Sequence, residues 1–262
     1  MMMMEEGMNR HQQGGLFSGR TNGSARASLV QRKNGDNHCA KCVERPPLFH
    51  GVSPDDYTRI CAAARVKEFD RGELLYIEGD SVQQVLLLTS GFVKITQLGL
   101  RGTEVILRLS VPGDAIGAEG LFSTGTHCTT AQAFQSCRAL VWDGLAFRAL
   151  AERHPAMRHN MVRILGGHLQ ELEERFREVA TERVGPRVAR QLVRLQKTIG
   201  RPVNGLVEIR LSREDLAQMT GTTLFTVSRL LSAWEARGMV RPRREAVAIC
   251  DVQALRAISE QN

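Results

Sequence analysis

Between Gly72 and Gly117 the chain reads "GELLYIEGDSVQQVLLLTSGFVKITQLGLRGTEVILRLSVPGDAIG", short runs of Leu, Val and Ile cut by Gly79, Gly91, Gly102 and Gly113. Short β-rich runs between turn residues predict antiparallel strands closed by tight turns, a jelly-roll or barrel. "TTAQAFQ" and "CRALVWD" supply a further strand pair. After "DGLAFRALAERHPAM" the period becomes helical: Val162, Leu165, Leu169, Leu172, Phe176 and Val179 are spaced 3, 4, 3, 4, 3, a coiled-coil seam. Met157, Met161, Ile164 and His168 form a second stripe suited to packing on the barrel. A helix with two apolar faces has two partners, and the seam points to the same helix of a second subunit. The alternative is a helix buried between two domains.

The last third opens with an apolar helix, "RVARQLVRLQKTI", then a Gly/Pro turn, "GRPVNG", and a short strand, "LVEIRL". In "SREDLAQMTGTTLFTVSRLLSAWEARGMV" Ser212 is an N-cap with Asp215 three residues on, a variant of the capping box. Leu216 and Met219 face inward, Thr220-Gly221 breaks the helix, and Thr223 caps a second helix whose buried side carries Val227, Leu230, Leu231 and Trp234. Two short helices around a glycine turn are a helix-turn-helix. "GMVRPRREAVAI" alternates like a hairpin with Arg241, Arg243 and Arg244 at its tip, making the motif winged. The expected fold class is therefore α+β: an N-terminal antiparallel β jelly-roll, a long dimerisation helix and a C-terminal winged helix-turn-helix. The expected divisions are a disordered tail at 1–36, rich in Gly, Asn, Gln, Ser and Arg, a β-barrel at 37–150, the dimerisation helix at 151–180 and the DNA-binding domain at 181–262.

Length and charge sharpen this picture. The 262 residues suit two domains, and from Val179 onward 14 Lys and Arg stand against 8 Asp and Glu, so most of the formal +7 charge sits in the last third. A basic terminal module is the electrostatic mark of a nucleic-acid partner. The acidic, polar N-terminus does not read as a secretory signal, and no run approaches the roughly 18 apolar residues of a membrane span. A cytoplasmic location with reduced cysteines and no membrane partner is expected. No Ser/His/Asp set, phosphate loop or paired catalytic carboxylates can be assembled, so no enzyme activity is expected.

The order barrel, long helix, winged helix-turn-helix, with "GD" then "IG" before the last strands and "TVSRLLSAWEARGMV" near the end, resembles the Crp/Fnr family of bacterial transcription regulators from about Leu48 to the C-terminus. The resemblance implies a homodimer that binds twofold-symmetric double-stranded DNA and contacts RNA polymerase. The exposed positions of the second helix are Thr223, Phe225, Thr226, Ser228 and Arg229. An arginine can donate two hydrogen bonds to guanine O6 and N7, and Arg229 matches the family's guanine-reading arginine. Phe225 stands where the family usually has glutamate; it can make only apolar contact, for instance with a thymine methyl, which leaves the half-site open at one base pair. Arg213, Arg241, Arg243 and Arg244 are the candidate phosphate contacts.

The resemblance places Ala118 where a cyclic-nucleotide sensor has its sugar-binding glutamate and Cys128 where it has its phosphate-binding arginine; Glu119 is the nearest carboxylate and His127 the nearest basic group. Losing a charge-assisted clamp argues against cyclic AMP. No cysteine or histidine stands in "GDAIG", where one haem-binding relative ligates its iron. The oxygen-sensing branch of the family holds an iron-sulfur cluster on three N-terminal cysteines plus one in the barrel. Cys39 and Cys42, in "HCAKC", sit where the first two belong, while Leu48 holds the position of the third. Cys39, Cys42 and Cys128, completed by Cys61, His38 or His127, are candidate metal ligands. Three readings of the C-x-x-C pair stay open: a metal site, a thiol switch, or no sensory role. A competing reading of the whole chain is a ligand-binding or redox protein whose C-terminal module mediates protein interaction.

Overall fold

The computed structural model describes residues 45–100 and 102–261. The expected tail at 1–36 and the pair Cys39 and Cys42 lie outside the described residues.

A short 3-10 turn at Pro47–Phe49 and helix α1 (Pro54–Ala62) lead into β1 (Arg65–Phe69), β2 (Leu74–Tyr76), β3 (Gln84–Ser90), β4 (Val93–Leu98), β5 (Glu104–Ser110), β6 (Ala115–Ile116), β7 (Thr130–Ala133) and β8 (Cys137–Asp143), with α2 (Ala118–Leu121) between β6 and β7. The strands form two antiparallel sheets, ordered β1-β8-β3-β6 and β2-β7-β4-β5, the jelly-roll that the glycine spacing predicts. Gly91 turns β3 into β4 at φ +78°, where a Cβ would lie 2.4 Å from the Ser136 carbonyl oxygen, so only glycine fits.

Strand β3 is buried on both faces. Leu86 and Leu88 point between the sheets with Val93, Ile95, Ile116, Ala131 and Val141. Val85 and Leu87, one residue out of phase, point outward to Leu48, Phe49, Trp142, Phe147, Met157 and Met161. The buried Trp142 indole N–H donates to the Ile60 carbonyl, 2.9 Å away.

Asp143 caps α3 (Gly144–Arg153) by accepting from the Leu145 and Ala146 amides. The chain breaks at His154 and restarts at Pro155, the first residue of α4 (Pro155–Thr181). Met157 and Met161 are buried against the outer face of β3, and the buried Asn160 amide donates to the Leu48 and His50 carbonyls at 3.1 and 2.6 Å. The seam side of α4 is bare: Val162 is 70%, Leu169 57%, Leu172 47%, Phe176 74% and Val179 49% exposed, and Leu165 is half-buried.

Beyond it come α5 (Val184–Thr198), β9 (Arg201–Val203), β10 (Leu206–Ile209), α6 (Arg213–Thr220), α7 (Leu224–Ala236), β11 (Val240–Arg243), β12 (Ala246–Ile249) and α8 (Val252–Ser259), with a third antiparallel sheet ordered β11-β12-β10-β9. Reading "GRPVNG" wholly as a turn is too broad. Only Asn204 and Gly205 turn, both at positive φ, and the flanking residues pair as a hairpin, Val203 with Leu206 and Arg201 with Glu208. The core of this module, around Val188, Leu192, Leu216, Val227, Leu231 and Trp234, is continuous with Ile106 and Phe134 of the barrel.

Candidate functional site

The sequence of α6 and α7 fixes both ends of the helix-turn-helix. The Asp215 N–H donates to Ser212 Oγ and the Ser212 N–H to Asp215 Oδ2, each at 2.9 Å, a complete capping box. Gly221 closes α6 in the left-handed region at φ 57°, and Thr223 Oγ1 caps α7 by accepting from the Thr226 N–H at 3.2 Å. With Val227, Leu231 and Trp234 buried, α7 turns Thr223, Phe225 and Arg229 fully outward and leaves Thr226 and Ser228 half-buried on the same side. The Arg229 guanidinium carbon lies 5.9 Å from the centre of the Phe225 ring one turn earlier, within reach of a cation–π contact.

Of the four candidate phosphate arginines, Arg241 and Arg244 are exposed and Arg213 is half-buried in the first turn of α6. Arg243 is placed differently. Its guanidinium donates to the buried Glu208 carboxylate at 2.9 Å, in a cleft between the wing sheet and the barrel that Arg71, Gln135, Arg201 and Arg210 also line. The wing tip touches the barrel too, through Arg71 and Glu245 at 2.8 Å.

A second concavity, of about 280 Å³, lies between the barrel and α4, bounded by Ile95, Gln97, Arg108, Cys128, Thr129, His168 and the seam residues Leu165, Leu169 and Leu172. Arg108 is the residue that sequence reasoning missed. Ile95 pairs with Arg108 but Thr96 pairs with Ile106, so Leu107 is an extra residue in β5, and this bulge breaks the strand's alternation. Arg108 is thereby aimed into the pocket, where it donates to Glu119 at 2.8 Å and to Ser110 Oγ at 2.6 Å. The segment 113–133 holds no arginine; this one arrives from a strand. The Leu107 carbonyl accepts from Arg175 of α4 at 2.7 Å, which ties the bulge to the long helix.

Ala118 is buried and Cys128 is exposed at the pocket wall. His127 is buried and stacked on Tyr76, ring centres 3.7 Å apart and planes within 5°. Burial lowers its pKa, against the opposing pull of Glu119 and Asp80. His168, on the α4 wall, is likewise pushed below its ordinary value by burial and then by Arg108. Cys61 and Cys137 are buried, and burial raises the Cys137 thiol to about 11. Among the described residues no three His, Cys, Asp or Glu side chains gather in a way that could hold a metal ion. Of the three candidate ligands Cys39, Cys42 and Cys128, only Cys128 lies among the described residues.

Residues 66–154 match the cyclic nucleotide-binding domain and residues 186–258 the Crp-like helix-turn-helix domain. The chain is 29% identical over 213 residues to a cyclic AMP receptor protein of Thermus thermophilus, covering 81% of this chain and 96% of that protein. It is 27% identical over 215 residues to a CRP-like cAMP-activated global transcriptional regulator of Mycobacterium tuberculosis, with 81% and 96% covered. Its fold is that of the crystal structure of a CRP-family transcriptional regulator from Thermus thermophilus, with a TM-score of 0.67 at 24% identity over 74% of this chain and 97% of that one.

Proposed function

Because this chain is a transcription regulator of the Crp/Fnr type with a DNA-binding helix-turn-helix, we propose that it works as a homodimer on a twofold-symmetric DNA site. One observation carries the reading: the bare apolar seam of α4 and the outward face of α7 are joined through α5, whose Arg190 and Arg194 pair with Glu178 of α4 and whose Val188 and Leu192 share a core with Val227 and Leu231 of α7. Pairing two seams along a twofold axis presents two reading helices to successive major grooves. Arg229 reads guanine, Phe225 meets the neighbouring base with an apolar ring, and Thr223, Thr226 and Ser228 complete the reading face.

Arg213, Arg241 and Arg244 hold the backbone phosphates. Replacing Arg241 or Arg244 with alanine is expected to weaken binding evenly across sequences and to lower the slope of log K against log salt by about one unit. Arg243 has to leave or share Glu208 to reach a phosphate, so Arg243→Ala is expected to change that slope less. Titrations at several salt concentrations measure both, and a base-selective loss from Arg241→Ala or Arg244→Ala would contradict the phosphate role.

For the signal, we favour a redox or gas input over cyclic AMP. The C-x-x-C pair supports it, and so do Ala118 and Cys128 at the positions of the nucleotide clamp, with the pocket's own arginine already held by Glu119. An iron-sulfur cluster held in part by Cys39 and Cys42, with Cys128 as a further candidate ligand, would supply sensitivity to oxygen or nitric oxide. Protein purified without oxygen is then expected to carry iron and acid-labile sulfide with a broad absorbance near about 400 nm, lost in Cys39→Ser/Cys42→Ser. A colourless, metal-free dimer that still binds DNA would remove the cluster and leave a thiol switch or a ligand in the barrel. The signal acts by shifting the α4 pair and so reorienting the reading helices. RNA polymerase is the further partner, and the cytoplasm the location; among the described residues no helix is long and apolar enough to cross a membrane. The competing protein-interaction reading predicts no salt-dependent, sequence-specific shift of DNA in a gel.

A further inference from the structure

Arg187, in the first turn of α5, is 6% exposed, and its guanidinium spends its donors on the ends of two other helices. Nε donates to the Thr220 carbonyl at 2.7 Å and Nη2 to the Gly221 carbonyl at 3.4 Å, at the close of α6. Nη1 donates to the Glu182 and Val179 carbonyls at 3.1 and 3.4 Å, at the close of α4. A helix C-terminus leaves carbonyls without intrahelical partners and carries the negative end of the helix dipole. One planar cation thus satisfies two such ends at once. Burial holds its pKa below the ordinary arginine value, with Glu182 and Glu178 acting against that shift.

The two ends it joins are the ones a reading dimer has to keep in register. Val179 is a seam residue, and α7 begins at Leu224, just after Gly221. A Cβ on Gly221 would lie 3.7 Å from both Val179 methyl groups, so the turn and the seam helix also pass close to each other. Around this clamp, Glu178 of α4 binds Arg194 and Arg190 of α5, and Glu182 binds Arg190 and Arg177. The pairs with Arg190 and Arg194 fasten the end of α4 to α5, while Arg177–Glu182 closes within the end of α4. Arg187 carries the fastening across to the turn before α7. A lysine ammonium, a compact charge without the planar fork, cannot hold both ends in this geometry.

We infer that Arg187 is a positioning residue for DNA reading: it locks the helix-turn-helix turn to the end of α4 and so sets the separation and tilt of the two α7 helices. The inference rests on the homodimer reading above. Arg187 touches no base or phosphate in this scheme. Its removal should therefore spare the affinity of one reading head for one half-site and blunt the preference of the pair for one spacing.

The test uses the full chain and a duplex that the wild-type protein selects from a random pool, with two derivatives: a single half-site, and the full site with one base pair inserted between its halves. Wild type is expected to lose about tenfold or more in affinity on the insertion, because each added pair rotates one half-site against the other. Arg187→Lys is expected to lose about threefold or less on the same insertion while binding the single half-site within about twofold of wild type. Arg187→Met, which keeps much of the stem volume without the charge, is the second variant should lysine unfold the joint. Thermal melting and sedimentation confirm that the variant read is a folded dimer. A folded variant with undiminished spacing discrimination, or with half-site and full-site affinities reduced in equal proportion, overturns the assignment. A wild type indifferent to the insertion overturns the twofold-site reading itself, and the proposal with it.

Discussion

Replacing Arg229 with alanine is expected to cost about 1 to 3 kcal/mol per half-site and to erase the preference for guanine at one base pair of each half. The guanidinium stands exposed on the face of α7 left free once Val227, Leu231 and Trp234 are buried. Its planar fork matches the O6 and N7 acceptors of guanine, whereas an ammonium lacks that fork, so Arg229→Lys should recover little of the loss. The Phe225 ring centre lies 5.9 Å from the Arg229 guanidinium carbon. Phe225→Ala should accordingly cost less than Arg229→Ala, about 0.5 to 1 kcal/mol from the exposed cation–π contact plus whatever the ring gains on a thymine methyl. Competition binding with every base at each position of the half-site measures both effects. Retained guanine preference in Arg229→Ala would move the reading role to another side chain.

The second large effect is expected from Leu169→Glu/Phe176→Glu. Both side chains are mostly exposed in the protomer, at 57% and 74%, so the substitutions should leave the fold and its melting temperature nearly unchanged. In the dimer each apolar side chain is worth about 1.5 to 3 kcal/mol on burial, every substitution appears twice, and the glutamates face one another. The protein is expected to sediment as a monomer at micromolar concentration, with its affinity for the twofold site reduced by roughly a hundredfold or more as the linked second half-site is lost. A dimer that survives both substitutions would place the interface elsewhere.

Much of this architecture could be read locally. Glycines at the barrel turns, the Ser212–Asp215 box and the Thr223 cap are each written within a few residues, and each appears in the structure where that local logic puts it. What escaped depends on register or on distant partners. β9 was hidden inside a segment read as a turn, because a two-residue Asn-Gly hairpin leaves its flanks free to pair. Arg108 was hidden by the Leu107 bulge, which no alternation pattern reveals. Arg243 looks like any wing arginine until Glu208, thirty-five residues away in sequence, is brought beside it. Arg187 reads as an ordinary helix cation; its meaning lies in carbonyls of two other helices, and backbone acceptors leave no mark in a sequence.

Selection of DNA from a random pool by the full-length protein, followed by the mass of the bound complex, is the most direct measurement of the central claim. Two inverted copies of a guanine-containing half-site, centred about one helical turn apart and bound by two chains, are the predicted result. An enriched single motif bound by one chain, or no enrichment above non-specific, salt-sensitive binding, would contradict it.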